Sequence, residues 1–260
     1  MKSSETKQEQ FQFENIINSE IKSNSRNPAS IERASMEIIT RELSQRGVIF
    51  HDELQAAVVK RVIHATADFD FAENIKFTPD AANLAVRIIR NGGSVWITDT
   101  HMALAGLNQA CLRDFNAESI CLMADPEVRE RARRLNLTRA AVAVDYALEK
   151  YEKYDKYAQF TQDTRSGQSN MIFAVGNAPT ALLRLSERIS NGFRPAIVIA
   201  MPVGFVNVIE SKKKIWHICQ RCEIPAIVSM GRKGGSGAAV AVCNALIYAA
   251  AGLSDPETRN

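Results

Sequence analysis

Two apolar runs of five residues, 196–200 and 226–230, each end in a turn-forming break and lead into a segment with helical spacing. The first breaks at Pro202 and Gly204 ahead of "NVIESKKKIWHICQR", and the second breaks into "GRKGGSG" ahead of a helix rich in small residues. Runs this short and this apolar suit strands buried on both faces of a sheet, and a helix after each suits parallel crossover connections. In such units the loops leave the carboxyl ends of the strands, where the free N–H groups of the next helix start favour anions. The stretch from Pro195 to Ser236 is therefore the expected site.

The same alternation extends upstream. Strands are expected over 94–98, 119–123 and 171–175, with a charged helix ending near Leu135, a long helix capped by Thr138, and a helix opened by Pro179. Ahead of them, Pro28 opens a helix stopped by Gly47, Asp52 caps a second, and Thr78-Pro79-Asp80 starts a third with proline at its first position. The pattern predicts an α/β fold: a mostly parallel sheet flanked by helices in a single domain. Residues 1–27 are polar and form an extension expected to be mobile or to dock a partner, residues 28–253 the domain, and residues 254–260 a tail.

Composition removes several classes. An apolar content of 46% is ordinary for a packed core, and a net charge of +3 offers no general attraction to nucleic acid or anionic lipid. Any preference for anions must then be local. Five cysteines, an odd number without a clustered framework, suggest reduced thiols in a cytoplasmic protein, and neither a signal core nor a membrane-length apolar run is present.

Each motif admits a bland account as well. "GRKGGSG" can cradle an anion with its backbone while Arg232 and Lys233 supply charge, or it can be a tight turn with solvated bases. It matches neither the phosphate-loop nor the dinucleotide pattern, which demotes nucleotides. "GNAPTAL" places Asn177 at a strand end, where it can meet a ligand or merely precede a capped helix. Cys219 and Cys222 form a CxxC within a helix and lack a second ligand pair, so no metal site is expected. Tyr146, Tyr151, Tyr154 and Tyr157 recur at helical spacing and suit a packing face. His51 and His217 are expected in solvent, and His101 lies just past a strand end. His64 closes the helix "LQAAVVKRVIH", with Arg61 one turn before it and Asp68 and Asp70 after. A histidine at a helix C-terminus can cap the helix or carry a proton near neutral pH.

Taken in order, "RVIHATADFDFA", "TDTHMALAGL", "LTRAAVAVDYAL", "GNAPTALLRL", "MPVGFVNVIESK" and "GRKGGSGAAVAVCNAL" resemble the signature segments of the precorrin-8X methylmutase family, also met as cobalt-precorrin-8 methylmutases. The resemblance runs from about residue 28 to residue 253. It implies an α/β homodimer that acts without a cofactor in vitamin B12 biosynthesis, moving a methyl group from carbon 11 to carbon 12 of a corrinoid ring. The family's histidine falls on His64, as general acid toward the ring nitrogen beside the migrating methyl, and its arginine falls on Arg139, toward a carboxylate. A corrinoid is an apolar disc edged with carboxylates, so distributed donors are expected. The further candidates are Arg33, Ser35, Arg61, Thr98, Asp99, Asn177, Gly204, Ser211, Lys212, Arg232, Lys233 and Ser236. The substrate is the expected small-molecule partner, neither nucleic acid nor membrane is, and product hand-over to a neighbouring pathway enzyme is a further expectation. A non-catalytic corrinoid carrier is the alternative.

Overall fold

A computed structural model describes residues 27–50, 52–151 and 169–258. His51, Tyr154, Tyr157 and the extension up to residue 26 lie outside the described residues. Helices α1 (Pro28–Gln45) and α2 (Glu53–Thr66) precede a single turn, α3 (Phe71–Asn74), and a short strand, β1 (Ile75–Phe77). Asn27 and Asp52 cap α1 and α2, accepting from Ala29 N and Gln55 N. Then come α4 (Ala81–Asn91), β2 (Val95–Thr98), α5 (His101–Gly106), α6 (Gln109–Asp114) and β3 (Glu118–Cys121). A 3-10 turn (Leu122–Ala124), α7 (Pro126–Leu135) and α8 (Arg139–Tyr151) follow. The chain closes with β4 (Met171–Val175), α9 (Pro179–Ser190), β5 (Ile197–Ala200), α10 (Val208–Arg221), β6 (Ala226–Ser229) and α11 (Ser236–Ala251), with a last 3-10 turn (Pro256–Thr258).

The strands form one sheet in the order β1-β6-β5-β4-β2-β3, and every pairing is parallel except β1 with β6. The expected α/β architecture is present, with helices on both faces. Its strands alternate strictly even though both faces are buried: Trp96, Ile172, Ala174, Ile197, Ile199 and Ile227 join the core under α2, α4 and α11. Val95, Ile97, Phe173, Val198, Ala200 and Val228 join the opposite core under α7 to α10. Burial on two sides removes the polar half of the pattern, which is why the strands read as unbroken apolar runs. Between α8 and α9, Asp145 is bound by Arg184 Nη2 and Arg188 Nε, each at 2.7 Å.

Strand β1 is absent from the sequence expectation, and the third helix begins later than expected. Thr78 N donates to Ala226 O at 3.0 Å, and Thr78 Oγ1 accepts from Ala226 N at 2.8 Å. Residues 78–80 thus finish the sheet edge, Asp80 turns with φ 58°, and α4 starts only at Ala81. No helix among the described residues is long and apolar enough to cross a membrane.

Candidate active site

Strand β2 passes outward to β3, whereas β4 passes the other way to β5 and β6. The topological switch point therefore lies between β2 and β4, where doubly wound sheets open a ligand crevice. Here Asp99 occupies it. Its carboxylate accepts from Gly176 N and Asn177 N at 2.8 Å and from Ala178 N at 2.6 Å. Burial pushes this carboxyl up, and the three N–H bonds oppose that rise. Thr98 Oγ1 also turns inward, donating to Thr100 O and Ile120 O, both at 3.2 Å. Asp99 and Thr98, expected at the ligand, are both buried and committed to the scaffold; the helix-start donors that could meet an anion already hold one.

The neighbouring loops are joined as one block. A Cβ on Gly176 would come within 2.7 Å of Ser236 Cα, and a Cβ on Gly234 would run into the carbonyl oxygen of Met201. Gly235 N donates to Met201 O at 2.7 Å, Gly204 N to Arg232 O at 3.3 Å, and the hydroxyls of Thr100 and Ser236 lie 2.8 Å apart. The loop expected to form the cradle packs backbone against backbone, and only glycine permits that approach.

Ser211 and Lys212 lie near the start of α10, and both are fully buried. Ser211 Oγ donates to Val208 O at 3.0 Å. Lys212 reaches under the β6–α11 loop, its Nζ donating to Gly231 O at 3.0 Å and to Lys233 O at 2.7 Å. Burial pulls this ammonium down to about 8.

His64 sits exposed in the last turn of α2, which ends at Ala67 in the left-handed conformation with φ 54°. Ser35 Oγ of α1 lies 2.8 Å from its Nδ1. The loop that follows is tied to the cradle: Lys233 Nζ meets Asp68 Oδ2 at 2.7 Å and Asp70 Oδ2 at 2.6 Å. The Lys233 bond holds the Asp68 carboxyl below its usual range. Lys233 therefore joins two loops of the site, and of the pair Arg232 is the base that reaches past the block, lying 5.8 Å over the ring of Phe205. Arg61 pairs with Glu32 and lies 5.1 Å over Tyr248, and Arg33 meets Asp255 at 3.3 Å. Arg61 thus ties α2 to α1, and Arg33 ties α1 to the segment after α11.

Arg139 stands at the other side of the same edge. Thr138 Oγ1, which accepts from Ala141 N, lies 2.8 Å from Thr180 Oγ1, so α8 begins beside the start of α9 and close to exposed Asn177. Arg139 shares a hollow of about 560 Å³ with Arg129, Arg133, Asn136 and Leu137. Residues missed from sequence include Asp68 and Asp70 as anchors, Arg129 and Arg133, and the apolar tip Val203, Phe205 and Val206, with Phe205 86% exposed. An "FV" pair in a loop just before a helix was the available signal for that tip. Cys219 is buried and its thiol is pushed up to about 12, which disfavours its thiolate. Among the described residues, no group of three His, Cys, Asp or Glu could hold a metal ion.

The fold defines a doubly wound α/β protein whose candidate groups, His64, Arg139 and the glycine loop, lie at helix ends and in the loop after β6. The family model of precorrin-8X methylmutase matches residues 30–249, and the chain belongs to that family. It is 37% identical over 223 residues to the cobalt-precorrin-8 methylmutase of Salmonella typhimurium, covering 85% of this chain and 95% of that protein. It is 31% identical over 222 residues to the precorrin-8X methylmutase of Pseudomonas aeruginosa, covering 85% and 95%. The crystal structure of precorrin-8X methylmutase from Thermus thermophilus superposes with a TM-score of 0.71 at 39% identity, covering 86% of this chain and 98% of that one. The chain is accordingly an isomerase of the methylmutase type.

Proposed function

We propose that this enzyme moves a methyl group from carbon 11 to carbon 12 of precorrin-8X, or of its cobalt form, giving hydrogenobyrinic or cobyrinic acid, with His64 as general acid. The observation that carries the reading is the 2.8 Å contact between Ser35 Oγ and His64 Nδ1 on an exposed helix end whose following loop is tied to the cradle by Lys233. With Ser35 Oγ accepting from Nδ1–H, the Nδ1 proton stays in place before and after transfer, and the proton given up is the one on Nε2. Protonating the ring nitrogen beside the methyl group withdraws electrons from the conjugated system and favours a [1,5]-sigmatropic shift. As an isomerisation the reaction needs no oxidant, reductant or leaving group, and the product returns the proton.

A positioned acid contributes about 10²- to 10⁴-fold. The remainder comes from holding the flexible ring in a reactive shape. Val203, Phe205 and Val206 offer the disc an apolar floor, while Arg139, Asn177 and Arg232 meet its carboxylates. The same reading carries a cytoplasmic homodimer that hands its product to the next pathway enzyme; light scattering of the purified chain tests the dimer. For the chemistry, His64→Ala should abolish the visible-spectrum change from precorrin-8X to product while the product still binds tightly. Normal turnover in that variant sinks the role of His64, and binding without any spectral change in the wild type favours a carrier.

A further inference from the structure

Lys212 is a buried cation for which the chemistry above has no use. Its side chain is fully enclosed, and no carboxylate pairs with it among the described residues. Burying a charge without a counter-charge is costly, and an arriving anion would offset that cost. Its partners among the described residues are two carbonyls of the loop above it, Gly231 O at 3.0 Å and Lys233 O at 2.7 Å, and Ser229 Oγ donates to the second of these at 2.8 Å. A trans peptide points its C=O and N–H in opposite directions. With both carbonyls drawn down onto Lys212, the N–H groups of Arg232 and Gly234 point away from it. Neither finds an acceptor among the described residues.

We propose that Lys212 is a positioning residue for the corrinoid: from beneath the 231–235 loop its ammonium aims the N–H groups of Arg232 and Gly234 at one peripheral carboxylate and supplies the charge that this carboxylate meets. The inference rests on the corrinoid reading and adds to it which backbone atoms receive an acid group and what holds them there. Arg232 contributes a mobile charge from above, whereas Lys212 contributes a fixed one from below. Ser229 shares the mechanical part of the work without the charge, which makes it the natural control.

The test is a visible-absorbance titration with hydrogenobyrinic acid and with the same ring carrying primary amides in place of its carboxylates. Lys212→Gln, which keeps donors for the carbonyls, should raise the dissociation constant of the acid roughly 10- to 100-fold, the size of one lost charge acting through low-dielectric protein. Binding of the amide should change less than about threefold, and kcat at saturating substrate should hold while KM rises. Ser229→Ala should weaken acid and amide equally and only slightly. Lys212→Met serves as a second variant, and its effect on the acid should match or exceed that of the glutamine. Equal weakening of acid and amide by Lys212→Gln, with the wild type binding the acid, overturns the inference and leaves the corrinoid reading standing. A wild type that does not bind hydrogenobyrinic acid overturns both.

Discussion

Ser35 and His64 sit 29 residues apart on different helices, yet the hydroxyl of one lies 2.8 Å from Nδ1 of the other. The contact engages Nδ1 and, in the proposed reaction, leaves Nε2 for the ring. Ser35→Ala should therefore lower kcat about tenfold, part of the 10²- to 10⁴-fold credited to a positioned acid. Binding of the product corrinoid should not change. In the His64→Ala background the same substitution should have no further effect on rate, because the serine acts through the histidine; a multiplicative loss in the double variant would contradict that dependence.

Lys233 ties the loop after His64 to the cradle through Asp68 and Asp70. Asp68→Asn combined with Asp70→Asn should release that tie. Amide hydrogen exchange over residues 231–235 should quicken, and KM should rise by roughly three- to tenfold, a loss on the scale of a charge-assisted bond at a partly exposed site. Unchanged exchange in those amides would mean that the cradle does not depend on the tie.

Arg139 faces the hollow it shares with Arg129 and Arg133. Arg139→Ala should weaken corrinoid binding more than His64→Ala does, by about ten- to a hundredfold if it meets a carboxylate directly. Equal affinities for the two variants in an absorbance titration would remove Arg139 from binding.

Gly234 packs so closely on Met201 that a methyl group there collides with a backbone carbonyl. Gly234→Ala should cost more than about 3 kcal/mol in stability, since the obstacle is main chain and cannot rotate aside. Urea denaturation would measure it, and a loss below 1 kcal/mol (about the median for any substitution) would mean that the loops can part.

Asp145 is buried against Arg184 and Arg188. Burial opposes its ionisation, but the bonds from the two arginines outweigh that and hold the carboxyl below its ordinary 3.8. A carboxyl depressed in the folded state contributes stability above the unfolded value and loses it as the pH falls through the folded one. Asp145→Asn should thus destabilise the protein by about 1 to 3 kcal/mol at neutral pH, with the gap from wild type closing as the pH drops below 3.8. Denaturant midpoints across that range decide it.

The interior strands were legible because each is an apolar run with a turn signal at its end, and β4 matches its expected limits residue for residue. Strand β1 was not, since "IKF" is three residues long and its pairing with β6 is set about 150 positions away by residues such as Thr78 and Ala226. For the site, residue type and the family resemblance put forward the histidine, the arginine and the glycine loop, but type cannot say which way a side chain turns. Asp99 and Lys212 carry charges suited to a ligand, and both turn inward, one onto three N–H groups and the other onto two carbonyls. Contacts of that kind span 19 to 79 positions of the chain and leave no local pattern to read.

Loops of an α/β enzyme are usually its softest parts, and many enzymes lose activity on warming well before they unfold. Here Gly235 is bonded to Met201, Ser236 touches Thr100, and Gly176 and Gly234 leave no room for the segments to slide. The parts proposed to hold the substrate are also the parts that lock the ends of four strands, β2, β4, β5 and β6, to one another. Warming should therefore find no separate melting of the site: activity and cooperative structure should disappear over the same few degrees.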